Sequence, residues 1–391
     1  MHYNLGMNMS IDQTNFLLAD KPKELENVIQ WLESCDTIAV DSESNSLFVY
    51  YEKVCLLQFS DREKNAIVDP LAFSDLSKMK SIFAAPSIQK VFHAAEYDVL
   101  CLKRDFGFEF NNIFDTMIAA RILGKNEVSL AAMLESAFGI QLEKKYQKAN
   151  WGIRPLPEKM LAYAVHDTDQ LIRLKDVLEA ELLDRGLQEL AQEDFRRVCK
   201  TPAGPSEPEP VNWWRITGSN HLTEPQTALL QDLCDWREQT AQKINLPVFK
   251  VIQNSVLLDL ALIQPQTETQ LSEIKGITRT VQQKYGKVLM RILKNRPTGQ
   301  ENIRQPHKTR QPSQAALIRR DVLKNWRKTT GVKHNVPSDV ILPREIMDLI
   351  IAKNPKSSAQ LSQLMIDVPW RYQRFSADIL AVLDKLKSGE E

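Results

Sequence analysis

Two carboxylates stand at the end of an apolar run near the start of the chain. Asp41 and Glu43 follow residues 37–40, a run typical of a buried strand. Side chains alternate along a strand, so both carboxylates project from the same face. A bound divalent cation would keep them ionised, whereas buried carboxylates without a partner take up protons. The pair therefore indicates a metal site, and the alternative is a strand followed by a polar turn.

Two later segments supply carboxylates that suit the same chemistry. Asp98 lies in a stretch predicted to be helical, residues 95–106, and Asp167 lies in a longer predicted helix, residues 157–185. Carboxylates on separate elements suit oxygen-ligated cations such as Mg²⁺ or Mn²⁺. Two such ions about 3.5–4 Å apart can clamp the attacking and leaving oxygens of a phosphoryl displacement. The acidic residues therefore indicate hydrolysis of a phosphodiester.

A tyrosine accompanies the last of these carboxylates. At about 100° per residue, Tyr163 and Asp167 lie about 40° apart at the edge of the helix's apolar face, whereas His166 and Asp169 point more toward solvent. A tyrosine hydroxyl one turn from a metal ligand can orient the attacking water. The alternative for Tyr163 is a half-buried structural tyrosine.

These side chains need an α/β domain to bring them together. Three short apolar runs separated by polar or charged turns predict an antiparallel meander at residues 37–45, 53–60 and 65–70. A helix is predicted before the meander, at residues 21–31. After the meander a strand is predicted at residues 90–93, and two further helices are predicted at residues 115–123 and 129–138. This succession predicts a mixed sheet of five to six strands.

The totals of the chain restrict its class. With 391 residues it exceeds what one core usually organises, so two or three domains are expected. Lys+Arg and Asp+Glu both number 50, so any nucleic-acid surface must be local. Five scattered cysteines without a CxxC pair exclude a cysteine-ligated zinc site and fit a reducing compartment. Neither a secretory signal nor a membrane-spanning run is present, so we expect a soluble, cytoplasmic protein.

The three acidic segments resemble the exonuclease motifs of the DEDD superfamily, in the branch that carries a tyrosine. The motifs are Asp41-x-Glu43, His93-Ala94-Ala95-Glu96-Tyr97-Asp98 and Tyr163-x-x-x-Asp167. Three further segments are similar to ribonuclease D and its exosome-associated relatives, namely Phe114-Asp115-Thr116, Arg154-Pro155-Leu156 and Tyr163-Ala164. The resemblance covers roughly Asn15 to Gly186.

This resemblance implies an RNase H-like fold and a 3′→5′ exonuclease that releases nucleoside 5′-monophosphates with two divalent metal ions, Mg²⁺ or Mn²⁺. It implies that Asp41, Glu43 and Asp167 hold the catalytic metal. Asp41 would also bridge to a second ion, which Asp98 supports through water, and Tyr163 would position the nucleophile. The expected substrates are the 3′ ends of tRNA precursors or other small structured RNAs.

Three residues outside the acidic set are candidate RNA contacts. His93 is similar to a family residue near the substrate strand, although a histidine at a strand end is as often structural. Trp151 and Arg154 precede the tyrosine helix and would offer an aromatic ring and a cation to RNA, or pack on the domain instead. Asp115 also matches a family position, and we interpret it as a helix cap or packing residue and not a ligand.

A Pro-rich segment, residues 201–210, separates this domain from a repeated C-terminal half. Trp236-Arg237, Asn245-Leu246-Pro247 and Leu271 recur about ninety residues later as Trp326-Arg327, Asn335-Val336-Pro337 and Leu361. The first copy resembles the HRDC domain shared by RecQ-type helicases and ribonuclease D, and the second copy has drifted. We predict a DEDD exonuclease domain (1–200), a Pro-rich linker (201–215), an HRDC domain (216–294), a basic linker (295–312) and a divergent HRDC-like helical domain (313–391).

Basic residues are concentrated around the second linker. They are Arg291, Lys294, Arg296, Arg304, His307, Lys308 and Arg310, against one Glu301. Such a run can track a phosphate backbone, or it can be a solvated linker. An alternative is that the helical modules serve only to bind another protein. We expect them to hold structured RNA while its 3′ end enters the acidic site.

Two other functions fit the same residues. A DNA exonuclease is one, because a metal clamp contacts phosphates and nothing in the motifs identifies a 2′-hydroxyl. A non-catalytic RNA-binding scaffold is the other, and the complete acidic set counts against it. The expected partner is RNA, no membrane is involved, and a monomer is favoured.

Overall fold

The computed structural model describes residues 15–295 and 313–388, and its N-terminal part is built on a six-stranded sheet. The strands are β1 (Leu17–Ala19), β2 (Thr37–Ser44), β3 (Val54–Ser60), β4 (Asn65–Val68), β5 (Gln89–Phe92) and β6 (Ile113–Asp115). They lie side by side in the order β1-β4-β3-β2-β5-β6. The predicted meander is confirmed, because β3 pairs antiparallel with both β2 and β4.

The remaining strand pairs are parallel, which makes the sheet mixed, as predicted. β2 pairs with β5, β5 with β6, and β1 with β4 in parallel register. The sequence did not predict the edge strands β1 and β6, because three residues are too few to show a period of two. These additions bring the sheet to six strands, within the predicted range.

Eight helices cover the two faces of the sheet in this part of the described chain. They are α1 (Pro22–Glu33), α2 (Lys80–Ala84), α3 (Glu96–Phe106), α4 (Thr116–Ile122), α5 (Leu130–Phe138), α6 (Glu158–Val165), α7 (Leu171–Asp184) and α8 (Gln188–Cys199). Val40, Leu57 and Phe59 pack with residues of α1, α2 and α3 on one face. On the other face Leu56 and Ile67 pack with α6. The central strand β3 is buried along its whole length because both of its faces are covered.

The long helix predicted over residues 157–185 is interrupted, and the prediction of one continuous helix is wrong. The chain forms α6 and α7 with a turn at residues 166–170 between them. The turn contains Asp167-Thr168-Asp169, whose short polar side chains compete with the helical backbone for hydrogen bonds. Thr168 illustrates this, since its hydroxyl donates to the Val165 carbonyl oxygen over 3.2 Å.

The C-terminal helices belong to the same compact unit as the sheet. They are α14 (Gln314–His334), α15 (Ser338–Ile341), α16 (Arg344–Lys353), α17 (Ser358–Leu364) and α18 (Pro369–Ser388). Gly124, after α4, has φ +69°, and a Cβ there would lie 2.3 Å from the Asn335 carbonyl oxygen. Nearby, Arg121 donates to Asp339 over 2.5 Å. The second HRDC-like module therefore packs directly against the part of the chain that contains the sheet.

A second compact unit contains the first HRDC-like module together with the β2–β3 loop, residues 45–53. Its longer helices and short turns of helix are α9 (Glu224–Ile244), α10 (Val248–Val251), α11 (Asn254–Ile263), α12 (Glu268–Glu273) and α13 (Arg279–Lys294). Tyr50 of the loop donates its hydroxyl to Glu238, and Lys250 lies 3.9 Å from the centre of the Phe48 ring. The loop is thus part of this unit's packing.

The two helical modules share their internal packing. Trp236 meets the ring of Tyr285 edge-to-face at 5.5 Å, and Trp326 meets Phe375 in the same way at 6.0 Å. The partners are 49 residues apart in both copies. The structure therefore bears out the repeat that the sequence indicated.

Only part of the basic run lies in the described chain. Arg291 and Lys294 are in the last turn of α13. The other members, Arg296, Arg304, His307, Lys308 and Arg310, lie outside the described residues. Among the helices described above, none combines the length and the apolar composition needed to cross a membrane.

Candidate active site

Three carboxylates converge at the acidic end of β2. Asp41 and Glu43 lie on this strand, and Asp167 lies in the turn between α6 and α7. One carboxylate oxygen from each residue lies within 4.8 Å of those of the other two. Strand alternation places Asp41 and Glu43 on one face, which is the face that α6 covers. The structure thus brings together the three residues for which the sequence predicts a shared metal.

The turn that carries Asp167 is fixed to the sheet. The Thr168 hydroxyl lies 2.7 Å from the hydroxyl of Ser60 on β3, and both side chains are completely or almost completely buried. A hydrogen bond between buried hydroxyls is directional and is not exchanged with solvent. The break in the helix therefore has a structural role, since it anchors Asp167 beside β2 and β3.

Asp98 approaches the same strand end from α3. It is 8% exposed, and its carboxylate accepts a hydrogen bond of 2.5 Å from the hydroxyl of Ser42, the residue between Asp41 and Glu43. Asp98 is not among the three residues whose oxygens share one centre. The prediction that it supports a second ion through water stays a prediction.

Burial raises the pKa of each of these carboxyl groups, and for Asp41 and Glu43 repulsion within the cluster raises it further. Burial raises the pKa of Asp41 well above its ordinary range, and the charges of Asp98, Asp167 and Glu43 raise it further. Burial, then Asp167 and Asp98, raise the pKa of Glu43 to about 9. Burial also raises the pKa of Asp98 and of Asp167 to about 7. A donor set of crowded carboxylate oxygens fits a hard divalent cation, whose charge would offset this repulsion.

Tyr163 lies at the edge of the acidic cluster. It is 9% exposed, and its ring packs near Trp151 and Tyr146, at centroid distances of 6.3 Å and 5.6 Å. Burial raises the pKa of Tyr163, and the charges of Asp167, Glu43 and Asp41 raise it further. The phenol is therefore protonated at neutral pH and available as a hydrogen-bond donor.

His93 is held by the domain itself. Its Nδ1 lies 2.9 Å from the hydroxyl of Thr116, which in turn donates to the carbonyl oxygen of Phe92. Burial lowers the pKa of His93 to about 4. The imidazole is therefore neutral near physiological pH. Asp115 caps α4 by accepting from the backbone amides of Met117 and Ile118, as expected for a cap.

Trp151 and Arg154 brace the loop before α6. Trp151 is 1% exposed and packs in the apolar cluster that contains Tyr163. The Arg154 guanidinium binds both carboxylate oxygens of Asp69, over 2.5 Å and 2.6 Å, and donates to the carbonyl oxygen of Cys55 over 2.8 Å. In the structure, Trp151 packs on the domain, and the Arg154 guanidinium is occupied by protein groups.

Sequence reasoning missed three polar residues at this site, Ser42, Gln58 and Thr168. Ser42 and Thr168 stand beside predicted metal ligands, but a hydroxyl next to an acidic residue is also common in plain turns. Gln58 carried the clearest signal, because it interrupts the otherwise apolar interior of β3. An amide in the middle of a buried strand needs a partner or a function.

Comparison with known proteins extends these observations. Residues 17–183 match the 3′-5′ exonuclease family, and residues 226–293 and 317–383 each match the HRDC domain. The chain is 32% identical over 302 residues to the exosome complex exonuclease RRP6 of Saccharomyces cerevisiae, covering 73% of this chain and 41% of that protein. It is 27% identical over 354 residues to ribonuclease D of Sphingobium indicum, covering 89% of each.

The fold is also shared with a solved structure, RNase D of Escherichia coli. The TM-score is 0.67 at 24% identity, with 95% of this chain and 99% of that chain covered. The chain spans between 31% and 44% of the length of the RRP6-type relatives from Arabidopsis thaliana and Saccharomyces cerevisiae. These matches confirm the predicted resemblance to ribonuclease D with HRDC domains. Residues 17–183 of the chain thus match the 3′-5′ exonuclease family, and two matches to the HRDC domain follow them.

Proposed function

We propose that the protein is a metal-dependent 3′→5′ exoribonuclease. The convergence of Asp41, Glu43 and Asp167 inside a 3′-5′ exonuclease domain carries this proposal. The names of two relatives, ribonuclease D and exosome complex exonuclease RRP6, favour RNA over DNA as the polymer.

Asp41, Glu43 and Asp167 would hold the catalytic cation, and Asp41 together with Asp98 would support a second. When bound, two Mg²⁺ or Mn²⁺ ions would stabilise the attacking and leaving oxygens. The residues fit this role, because their donors are all carboxylate oxygens, and a bound cation would offset the burial and repulsion that raise the pKa of Asp41 and of Glu43.

The side chain of Tyr163 would orient the nucleophile. Its protonated hydroxyl donates a hydrogen bond to the attacking water and aims an oxygen lone pair at the terminal phosphorus. Attack forms a new O–P bond and breaks the bond from phosphorus to the 3′ oxygen of the preceding nucleotide. The products are a nucleoside 5′-monophosphate and an RNA with a new 3′ hydroxyl.

The substrates that we propose are tRNA precursors or other small structured RNAs, with the HRDC domains holding the body of the RNA. We place the reaction in the cytoplasm, for which the scattered cysteines argue. The contacts of His93, Trp151 and Arg154 support a bracing role near the acidic site, in which they hold the segments around it in place, and their contact with RNA stays a prediction.

The test is degradation of matched RNA and DNA oligomers, labelled at the 5′ end, with Mg²⁺ or with EDTA. We expect stepwise shortening of RNA from its 3′ end with Mg²⁺ and none with EDTA. Asp41→Asn and Asp167→Asn should abolish cleavage and leave RNA binding largely intact. Asp176→Asn is the control, because Asp176 lies on α7 but pairs with Arg62 at the surface.

Three outcomes would contradict the proposal. Equal degradation in EDTA would exclude a metal mechanism. Degradation of DNA in preference to RNA would identify a DNA exonuclease. RNA binding without degradation in the presence of Mg²⁺ would identify a non-catalytic scaffold.

A further inference from the structure

Gln58 is a polar residue in the centre of the sheet that the proposed function does not explain. It lies on β3, where all seven residues are buried, and it is 0% exposed. Neither its Oε1 nor its Nε2 has a hydrogen-bond partner in the part of the chain that the structure describes. Leaving both amide atoms unpaired in the interior disfavours folding, so the presence of an amide at this position needs an explanation.

The strand register shows which polar group lies beside this amide. Gln58 is directly opposite Asp41 on β2 and opposite Ile67 on β4. Directly opposite residues point to the same face, with Cβ atoms about 4.5–5.5 Å apart. Ile67 carries no polar atom. Along β3 the same face presents Leu56 and Ser60, and the Ser60 hydroxyl already bonds other side chains.

An ionised Asp41 would have a vacant acceptor position for this amide. A carboxylate offers about four lone-pair sites, and a ligand that bridges two cations uses two of them. Hydrogen bonds to the remaining sites orient a metal ligand and hold its geometry. We propose that Gln58 is a positioning residue that donates its amide N–H to the Asp41 carboxylate when a divalent cation is bound. This inference rests on the proposed function.

The amide suits this place better than a charged donor would. A lysine or arginine opposite Asp41 would compete with the cation for the carboxylate, and an ionised acid would repel it. A glutamine supplies a donor without net charge. The donor also belongs to a central strand, which is more rigid than a loop and therefore fixes the carboxylate more closely.

The test measures Mn²⁺ binding to the metal-free full chain by titration calorimetry. Thermal unfolding in EDTA measures the stability of the metal-free protein. Gln58→Met keeps the volume and removes the amide, so we expect about tenfold weaker Mn²⁺ binding with unchanged or higher metal-free Tm. Gln58→Glu keeps the shape but loses the donor, and its affinity should fall at least as far. Leu57→Met, on the opposite face of β3, is the control and should bind Mn²⁺ as the wild type does.

Three results would overturn the inference. They are wild-type Mn²⁺ affinity in Gln58→Met, tighter binding by Gln58→Glu, and loss of affinity that accompanies an equal loss of metal-free stability, which would indicate a general packing role. If the wild type itself binds no Mn²⁺, the proposed function fails first. That failure is distinguishable because it appears before any variant is compared.

Discussion

Arg371 on α18 and Glu193 on α8 are both completely buried, and Nη1 of the arginine donates to Oε2 of the glutamate over 2.9 Å. The same guanidinium donates to Asp194 over 2.7 Å and to the Val340 carbonyl oxygen over 2.9 Å. Glu193 also accepts from the backbone amide of Trp370. A buried ionic group with its donors engaged thus joins the second HRDC domain to the exonuclease domain.

We expect Arg371→Ala to lower the free energy of unfolding by about 3–5 kcal/mol, because it leaves Glu193 buried without its partner. Urea unfolding of the full chain measures this change. Arg374→Ala is the matched control, since Arg374 is exposed one turn further along the same helix. A change below about 1 kcal/mol for Arg371→Ala would show that other contacts, and not this ionic group, hold the second HRDC domain.

Tyr163→Phe separates orientation of the nucleophile from metal binding. The ring would still fill its place beside Trp151, so we expect unchanged stability and unchanged Mn²⁺ affinity. Loss of the hydroxyl should lower kcat about 10²-fold, because one donor to the reacting groups is removed. Single-turnover RNA degradation measures the chemical step. Tyr146→Phe, whose ring packs edge-to-face on Tyr163, should keep the wild-type rate.

Much of this fold was predictable, because residues at the ends of its helices determine where those helices begin and end. Gly107 takes φ +62° at the end of α3, where glycine avoids the Cβ penalty. Ser129 caps α5 with its hydroxyl, and Asp115 caps α4. The acidic motif on β2 was also readable, because alternation along a strand fixes which side chains share a face.

The rest depends on contacts between distant residues, which leave no periodic signal. The burial of Trp151 and the break at Thr168 follow from packing against the sheet, so neither is encoded in its own neighbourhood. Helix α8 was not predicted, although it has a clear apolar face. Its Glu193 pairs with Arg371, which is 178 residues away in the sequence. Such pairs become visible only once the chain is folded.

Asn245 offers a test of how the β2–β3 loop is held. Its Oδ1 accepts from the backbone amides of both Tyr50 and Tyr51, each over 3.1 Å, and its φ is +47°. Asn245→Gly keeps the left-handed backbone but removes the acceptor, so we expect a loss of about 1 kcal/mol in the stability of this unit. Asn245→Ala adds backbone strain and should lose about 1 kcal/mol more.

Faster proteolysis within residues 45–53 should accompany the loss in Asn245→Gly, and denaturant unfolding gives its size. Asn335→Gly is the control at the equivalent position of the second copy, where φ is +53°. Cleavage of the loop at the wild-type rate in Asn245→Gly would show that the Tyr50 hydroxyl bond to Glu238 is sufficient to hold it.

The acidic cluster makes the metal-free protein less stable as pH rises. The pKa of Glu43 is raised from 4.5 to about 9 in the folded state, so the folded chain holds a proton there that the unfolded chain has lost. The stabilisation that comes from this proton is complete below the pKa of Glu43 in the unfolded chain, and it disappears as pH rises through the pKa of Glu43 in the folded chain. In EDTA we expect stability to fall between pH 7 and 9, by up to ~1.4 kcal/mol per pH unit for such a group.

This window avoids His93, whose lowered pKa of about 4 gives the opposite slope at more acidic pH, where the unfolded histidine binds a proton first. Glu43→Gln should flatten the decline, because the neutral amide does not titrate, whereas Glu96→Gln, an exposed position on α3, should keep it. Added Mn²⁺ should raise the stability of the wild-type protein most at pH 9, because the cation replaces the proton that the cluster has lost there. Thermal unfolding at pH 7, 8 and 9 decides the matter, and a slope unchanged in Glu43→Gln would mean that this carboxyl does not carry the cluster's proton.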